Sequence, residues 1–271
     1  MNITEKFEQL RKRREHAMMP YICVGDPDPE TSVEIANTLI DSGADIIELG
    51  IPFSDPIADG PTIQRASERA LSSGINTDVY FDVCKKIKPS DTALVGMTYY
   101  NIILQCGMEK FVLECANSGI SGIIVPDLPV EESAPLQEVC ENNNVSLISF
   151  IAPTTTDERM ENIISHSSGF IYLIALLGVT GARDEFNKIA GELVIRVKSR
   201  TPVPVCLGFG ISKPQQVRKA VESGADGVIV GSAIVNIIEK NLKNKRKMLD
   251  ELKKFVRKLK RETFVKKKLI V

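Results

Sequence analysis

Residues 42–61 have the sequence SGADIIELGIPFSDPIADGP, which combines the repeating unit of this chain with its most unusual charge. The segment from Asp45 to Leu49 is mostly apolar and β-branched over the length of one strand, which predicts a buried β-strand. Glu48 lies inside it, although strands buried on both faces normally consist of Val, Ile and Leu. A buried carboxyl has to be paired, neutral or used in chemistry. Glu48 is therefore a candidate functional residue, whereas Asp59, in the following loop, would alone be interpreted as an ordinary turn acid.

The Ser-Gly pair that opens this stretch recurs before other apolar segments, at Ser42-Gly43, Ser118-Gly119, Ser168-Gly169 and Ser223-Gly224. Glycine readily adopts the left-handed conformation that ends a helix, so each pair predicts a helix end before a strand. Eight apolar segments alternate with helical patterns. This even repetition favours an α/β fold of the (β/α)₈ TIM-barrel type over a doubly wound sheet. We expect one barrel domain over residues 1–271, with an extra N-terminal helix and additional helices.

Charge is unevenly distributed, since residues 240–271 contain 14 Lys or Arg against three acids while the whole chain has a net charge of −1. Apolar residues at helical spacing in this segment predict an amphipathic, solvated terminal helix. Aromatic residues are not interleaved for base stacking, and no apolar segment has the roughly 20 residues that cross a bilayer. We therefore expect no nucleic-acid or membrane partner and a cytoplasmic location. The six scattered cysteines are expected to be reduced.

Acid–base chemistry is expected to depend on carboxyl or tyrosine side chains, because the chain has only two histidines, His16 and His166. Neither has a neighbour at metal-ligand spacing, so no metal site is predicted. In TIM barrels the active site lies at the C-terminal ends of the strands. Alternation along the strand places Ile47 and Leu49 toward the helices, which leaves Glu48 facing the barrel mouth.

A phosphate site is predicted where the last two strands end. Gly210 and the pair Gly231-Ser232 follow predicted strands seven and eight, and Gly231-Ser232 opens a helix whose N-terminal N–H groups favour an anion. Loops at these two positions commonly bind phosphate in TIM barrels. Residues 178–181 begin a polar loop of about ten residues that includes Arg183; its length indicates a mobile lid or, alternatively, a static surface loop.

Over nearly its whole length the chain resembles the tryptophan synthase alpha subunit family. The most specific motif is Glu48 to Pro56 together with Ala58 to Gln64. Further matching motifs are Tyr21 to Pro27, Tyr99-Tyr100-Asn101, Pro126 to Glu132, Gly178 to Gly181, Gly208 to Ile211 and Gly231 to Val235. The resemblance implies cleavage of indole-3-glycerol phosphate to indole and glyceraldehyde 3-phosphate, without a cofactor or metal in this chain.

The resemblance also implies a role for each matching residue. Glu48 is the expected proton shuttle, and Asp59 is the expected acceptor for the indole N–H. Two carboxyls in different environments can divide such tasks, and Glu48 is expected to have the higher pKa because its strand is apolar. The expected substrate-binding residues are Tyr172, Tyr99 and Phe209 at the indole, with Thr180, Gly181, Gly210, Gly231 and Ser232 in the phosphate and lid loops.

The family further implies a partner, the tryptophan synthase beta subunit in an α₂β₂ complex, which receives indole and uses its own pyridoxal phosphate. Asp55, with residues 178–181, is expected to couple the two sites. Leu176-Leu177 departs from the polar residues of many relatives, which affects the lid rather than the chemistry. Alternatives are a stand-alone lyase, a non-catalytic regulatory subunit, or another sugar-phosphate barrel; the last does not account for residues 48–64.

Overall fold

The computed structural model describes residues 1–174, 183–208 and 210–264. Eight parallel strands close into a barrel in which each strand pairs with its neighbour in sequence and β1 pairs with β8. The predicted (β/α)₈ barrel is confirmed. The strands are β1 (Ala17–Cys23), β2 (Ile46–Gly50), β3 (Ala93–Met97), β4 (Ile120–Ile124), β5 (Ser146–Ile151), β6 (Ile171–Ile174), β7 (Val205–Gly208) and β8 (Gly227–Val230).

Helices surround the barrel, and the predicted N-terminal and additional helices are present. Within the described ranges they are α1 (Ile3–Arg13), α2 (Pro29–Asp41), α3 (Pro61–Ser72), α4 (Thr77–Lys86), α5 (Tyr100–Cys106), α6 (Met108–Asn117), α7 (Ala134–Asn142), α8 (Asp157–His166), α9 (Arg183–Lys198), α10 (Pro214–Glu222), α11 (Ser232–Lys240) and α12 (Lys245–Lys260). Short 3₁₀ turns span Val130–Glu132 and Arg261–Thr263.

The Ser-Gly repeat ends helices as predicted. Gly43, Gly119, Gly169 and Gly224 all have positive φ, between 68° and 96°. Each glycine reverses the chain between the end of a helix and the start of the next strand, a conformation that residues with a Cβ adopt at a cost. These turns set the even spacing of the barrel units.

The N-terminal helix closes the bottom of the barrel. Ile3, Phe7 and Leu10 of α1 are buried and belong to the same cluster as the inward-facing strand residues, including Ile46. The rings of Phe7 and Phe170 lie 6.1 Å apart. Because this end is filled with apolar side chains, the open end at the carboxyl termini of the strands is left for a site.

The basic C-terminal segment forms α12, an amphipathic helix as predicted. Its apolar face is fully buried, through Met248, Leu252, Val256 and Leu259. Lys260 is an exception to the solvated cations, since its Nζ donates to Asp45 at 2.8 Å and to Glu15 at 3.2 Å. Asp45 in turn accepts from the backbone N–H of Met18, so α12 is joined to the starts of β1 and β2.

Two parts of the helical pattern differ from the sequence prediction. Helix α5 was not predicted, because seven residues are too few to show a helical period. Helix α9 begins at Arg183, inside the segment of about ten residues that the sequence assigns to a polar loop. Arg183 to Glu185 therefore form the first helical turn, where acidic residues are common.

Candidate active site

Glu48 lies on the inner face of β2, near its carboxyl end. Its backbone pairs with Tyr21 of β1 and Val95 of β3. Ile46, two residues earlier, is in the interior cluster, whereas Ile47 and Leu49 pack in the layer between strands and helices. The predicted alternation is confirmed, and the Glu48 side chain is only 5% exposed at the barrel mouth.

Burial changes the protonation of Glu48. Loss of solvent is the main reason that the pKa of its carboxyl rises to about 8, and the negative charge of Asp59 adds to the rise. Among the described residues none donates a hydrogen bond to this carboxyl that could oppose the effect. The expected increase in the pKa is confirmed, so Glu48 carries a proton at neutral pH and can act as an acid.

A raised pKa makes stability depend on pH. Between the ordinary value of 4.5 and about 8, the folded protein holds a proton on Glu48 that the unfolded chain has released. The free energy of unfolding therefore falls as pH rises through this window. Glu48→Gln removes this term, so the melting temperature of the variant relative to the wild type should increase from about pH 5 to about pH 9, each pKa unit being worth about 1.4 kcal/mol.

Thermal unfolding at both pH values checks this expectation. The matched control is the same substitution outside the cavity, Glu138→Gln on the exposed side of α7. A pH-independent difference between Glu48→Gln and the wild type would show that Glu48 is ionised in the folded protein.

Asp59 is held in place by its own loop and by Tyr99. The Tyr99 hydroxyl donates to Asp59 Oδ2 at 3.0 Å and accepts from the Ala58 N–H at 3.0 Å. Gln64 Nε2 donates to the Asp59 carbonyl, and the Phe53 ring stacks on Tyr99 at 5.0 Å. Burial raises the pKa of Asp59, while the hydrogen bond from Tyr99 favours its ionised form.

Tyr99 is buried beside the site. It is 3% exposed and contacts the carboxyl of Asp59, and its expected place at the indole pocket or its edge stays a prediction. It is not among the described residues that line the cavity described next. Its observed contacts orient Asp59.

A cavity of about 660 Å³ opens at the carboxyl ends of the strands. It brings together both candidate carboxyls with Tyr172, Gly210, Gly231 and Ser232, all predicted site residues. The other described residues of its wall are mostly apolar. They are Tyr21, Ile57, Ala58, Gly60, Pro61, Thr62, Ile63, Met97, Pro126, Phe150, Ile174 and Ile229.

Tyr21, Met97 and Phe150 were not predicted as site residues. Each lies near the carboxyl end of a strand, in phase with an inward-facing residue such as Met19, Val95 or Ile148. The same alternation that located Glu48 could have found them, because side chains two residues apart share a face.

Two glycines make room for tyrosine rings in this cavity. A Cβ on Gly50 would lie 2.3 Å from the Tyr21 hydroxyl, and a Cβ on Gly208 would lie 2.3 Å from Cε1 of Tyr172. Gly50 ends β2 and Gly208 ends β7, next to β1 and β6. The absence of a side chain at these positions lets each ring lie flat against the neighbouring strand.

The predicted phosphate loops meet at the cavity. Ser232 begins α11 immediately after Gly231, and Gly210 has a φ of +73° that favours glycine. The first N–H groups of a helix have no partner within it and carry a partial positive charge. No Lys or Arg is among the described residues that line the cavity, so an anion there depends on backbone groups.

An ion-pair network joins α3 to α11. Arg69 of α3 binds both oxygens of Asp26, at 2.7 and 2.8 Å, and also binds Glu239 of α11 at 3.0 Å. Arg65 makes two further bonds to Glu239. Helix α3 follows the Asp59 loop and α11 begins at Ser232, so the network fixes the two helices relative to each other.

Some predicted residues lie outside the described part of the chain, namely Thr180, Gly181 and Phe209, together with the rest of the 178–181 segment.

Asp127 accepts a hydrogen bond from the Tyr100 N–H at the start of α5. His16 Nδ1 lies 2.7 Å from the Ala225 carbonyl oxygen, and His166 Nδ1 lies 2.8 Å from that of Asn162.

In the described ranges, no three His, Cys, Asp or Glu side chains cluster in a way that could hold a metal ion. Among the same residues, no helix is both long and apolar enough to span a membrane.

The fold and the paired carboxyls define a TIM-barrel enzyme with acid–base groups at the barrel mouth. Residues 7–264 match the family model "Tryptophan synthase alpha chain". The chain belongs to the tryptophan synthase alpha chain family, whose members are lyases of tryptophan biosynthesis that cleave indole-3-glycerol phosphate.

Individual relatives agree with this assignment. The tryptophan synthase alpha chain of Methanosarcina barkeri is 50% identical over 237 residues, which cover 88% of this chain and 89% of the relative. The tryptophan synthase alpha chain of Methanocaldococcus jannaschii is 48% identical over 255 residues, which cover 93% of this chain and 90% of the relative. The crystal structure of tryptophan synthase subunit alpha from Legionella pneumophila superposes with a TM-score of 0.89 at 34% identity, over 97% of this chain and 98% of that one.

Proposed function

We propose that Glu48 is the proton shuttle and Asp59 the charge-stabilising carboxylate in the cleavage of indole-3-glycerol phosphate to indole and glyceraldehyde 3-phosphate. The observation that carries this proposal is the different setting of two carboxyls in one cavity. Glu48 is buried on a strand with a pKa of about 8. Asp59 accepts a hydrogen bond from Tyr99, which favours its ionised form.

The first step is protonation of the substrate ring. Neutral Glu48 gives its proton to C3 of the indole, and the positive charge that results is shared with the ring nitrogen. Asp59 accepts the N–H hydrogen bond and stabilises that charge, more strongly in a dry cavity than in water.

The second step breaks the carbon–carbon bond. Glu48, now a carboxylate, removes the proton from the hydroxyl on the side-chain carbon attached to C3. A carbonyl forms there, the bond to C3 breaks, and its electron pair restores the aromatic ring and neutralises the nitrogen. Glu48 ends protonated, so the cycle consumes no net proton and no cofactor is proposed for this chain.

The cavity residues are proposed to bind the phosphate and the indole ring of the substrate. The phosphate is proposed to bind the backbone N–H groups at Gly210, Gly231 and Ser232, with Gly181 and Thr180 as further predicted contacts. The indole ring is proposed to lie against Tyr172 and Phe150, whose rings are 5.0 Å apart. Phe209 stays a predicted contact of the same ring.

A beta subunit that holds pyridoxal phosphate is the proposed partner, in a cytoplasmic α₂β₂ complex with this chain as one barrel domain. The loop of the candidate site supports a docking role, because Ile57 is 83% exposed beside Asp55. A chain from a structure described as tryptophan synthase from M. tuberculosis superposes on this one with a TM-score of 0.87 at 32% identity, over 97% of this chain and 98% of that one.

The decisive experiment is to supply indole-3-glycerol phosphate to the purified chain and to measure indole, with and without a beta subunit. We expect slow release by the chain alone and faster turnover when the partner is added. Equal rates in both assays would favour a stand-alone lyase, and no indole in either would favour a non-catalytic regulatory subunit.

A further inference from the structure

Tyr21 lines the cavity between β2, which carries Glu48, and the start of α11. Its backbone pairs with Glu48, and its ring packs over Gly50, so that a Cβ there would lie 2.7 Å from the Tyr21 Cζ. On the other side, a Cβ on Gly231 would lie 3.8 Å from the Tyr21 Cβ. The residue thus touches both the strand of the proton shuttle and the start of α11.

The hydroxyl of Tyr21 has no hydrogen-bond partner among the described residues, although the residue is only 6% exposed. Two other buried tyrosines differ: Tyr80 donates to the Leu49 carbonyl at 3.0 Å, and Tyr99 binds Asp59. A buried phenol normally has a partner. Because Tyr21 lines the cavity, its hydroxyl is available to a ligand.

We propose that the Tyr21 hydroxyl binds a hydroxyl of the three-carbon chain that joins the indole ring of the substrate to its phosphate. This inference rests on the proposed function. With the ring near Glu48 and the phosphate near Gly231, that chain has to pass Tyr21. The two hydroxyls of this three-carbon chain need hydrogen-bond partners in a cavity whose wall is mostly apolar. The Tyr21 hydroxyl is one such partner and carries no charge.

The phenol acts as a neutral donor. Burial, with the charges of Asp59 and Glu48, raises the pKa of Tyr21, so the hydroxyl keeps its proton at all working pH values. It therefore discriminates ligands by hydroxyl content. A cavity that hydrogen-bonds a hydroxyl disfavours an analogue that lacks it, because the protein group is then left unpaired.

The test compares two ligands in two proteins. Indole-3-glycerol phosphate and indole-3-propyl phosphate, which lacks both chain hydroxyls, are titrated calorimetrically into Glu48→Gln and Glu48→Gln/Tyr21→Phe, whose expected turnover is too slow to consume the substrate during a titration. We expect Tyr21→Phe to weaken the first ligand about tenfold and to leave the second unchanged. In the otherwise wild-type enzyme, Tyr21→Phe should lower kcat/KM by a similar factor.

Tyr80→Phe is the matched control, since the same atom is lost outside the cavity. It should lower the melting temperature without changing the preference between ligands, whereas Tyr21→Phe should not lower it. Equal effects of Tyr21→Phe on both ligands, or none, would overturn the proposal. A changed pH profile of kcat with an unchanged ligand preference would also overturn the proposal, because it would show that the Tyr21 hydroxyl acts on Glu48 and not on the ligand. Failure of the proposed function is separate, because the wild type would then release no indole.

Discussion

Glu48→Gln is expected to lower kcat for indole release by about 10²- to 10⁴-fold and to leave KM nearly unchanged. Glutamine has nearly the same size as glutamic acid and suits the same buried position, but it can neither give a proton to C3 nor accept one from the hydroxyl. Both proton transfers pass through this side chain in the proposed mechanism, so no other group compensates. Steady-state kinetics with purified variant and wild type measure the effect.

The kinetic split distinguishes chemistry from folding. A structural role for Glu48 would raise KM and lower the melting temperature together, whereas the shuttle role lowers kcat without raising KM. Glu138→Gln on the exposed face of α7 is the control and should keep wild-type kinetics. A kcat within a factor of about three of wild type for Glu48→Gln, far below the contribution expected of general acid–base catalysis, would disprove the shuttle role.

Asp59→Asn is expected to lower kcat by about 10²- to 10³-fold, the second largest effect. The amide removes the negative charge that stabilises the protonated ring, and one of its atoms becomes a donor facing the indole N–H. Because Asp59 also raises the pKa of Glu48, the variant should shift the basic limb of the pH profile of kcat to lower pH. Kinetics over about pH 6 to 9 measure both effects.

Tyr99→Phe provides a graded test of the same carboxyl. It removes the hydroxyl that donates to Asp59 and accepts from Ala58, without touching the cavity. A loss of about tenfold in kcat is expected, smaller than that of Asp59→Asn. Asp82→Asn on the exposed face of α4 is the control.

Full activity of Asp59→Asn would contradict the proposed role of Asp59 and would show that it is only a structural residue of the turn.

The fold was largely predictable because its information is local. Each Ser-Gly pair combines a helix end with a glycine that adopts positive φ, and the following apolar segment has strand length. Where the local signal was weak, the prediction failed. Helix α5 has only seven residues, and the start of α9 is polar, so neither shows an apolar period.

The candidate site was predictable in part. Glu48 was conspicuous because a charge interrupts an apolar strand, whereas Asp59 on a loop needed the family resemblance. Tyr21 and Phe150 look like ordinary core residues in sequence, since aromatic residues are common in strands. Only their phase and their position at the strand ends separate them from the core.

The apolar periods and the Ser-Gly pairs predicted the eight strands and most of the helices, and strand alternation predicted that a carboxyl faces inward from β2, because periodicity and glycine conformation are properties of neighbouring residues. The environment of each group depends instead on the closed barrel. Closure of the barrel removes water from Glu48 and raises its pKa, and it puts Tyr99, 40 residues away, behind Asp59. Desolvation and long-range hydrogen bonds depend on which segments meet in space.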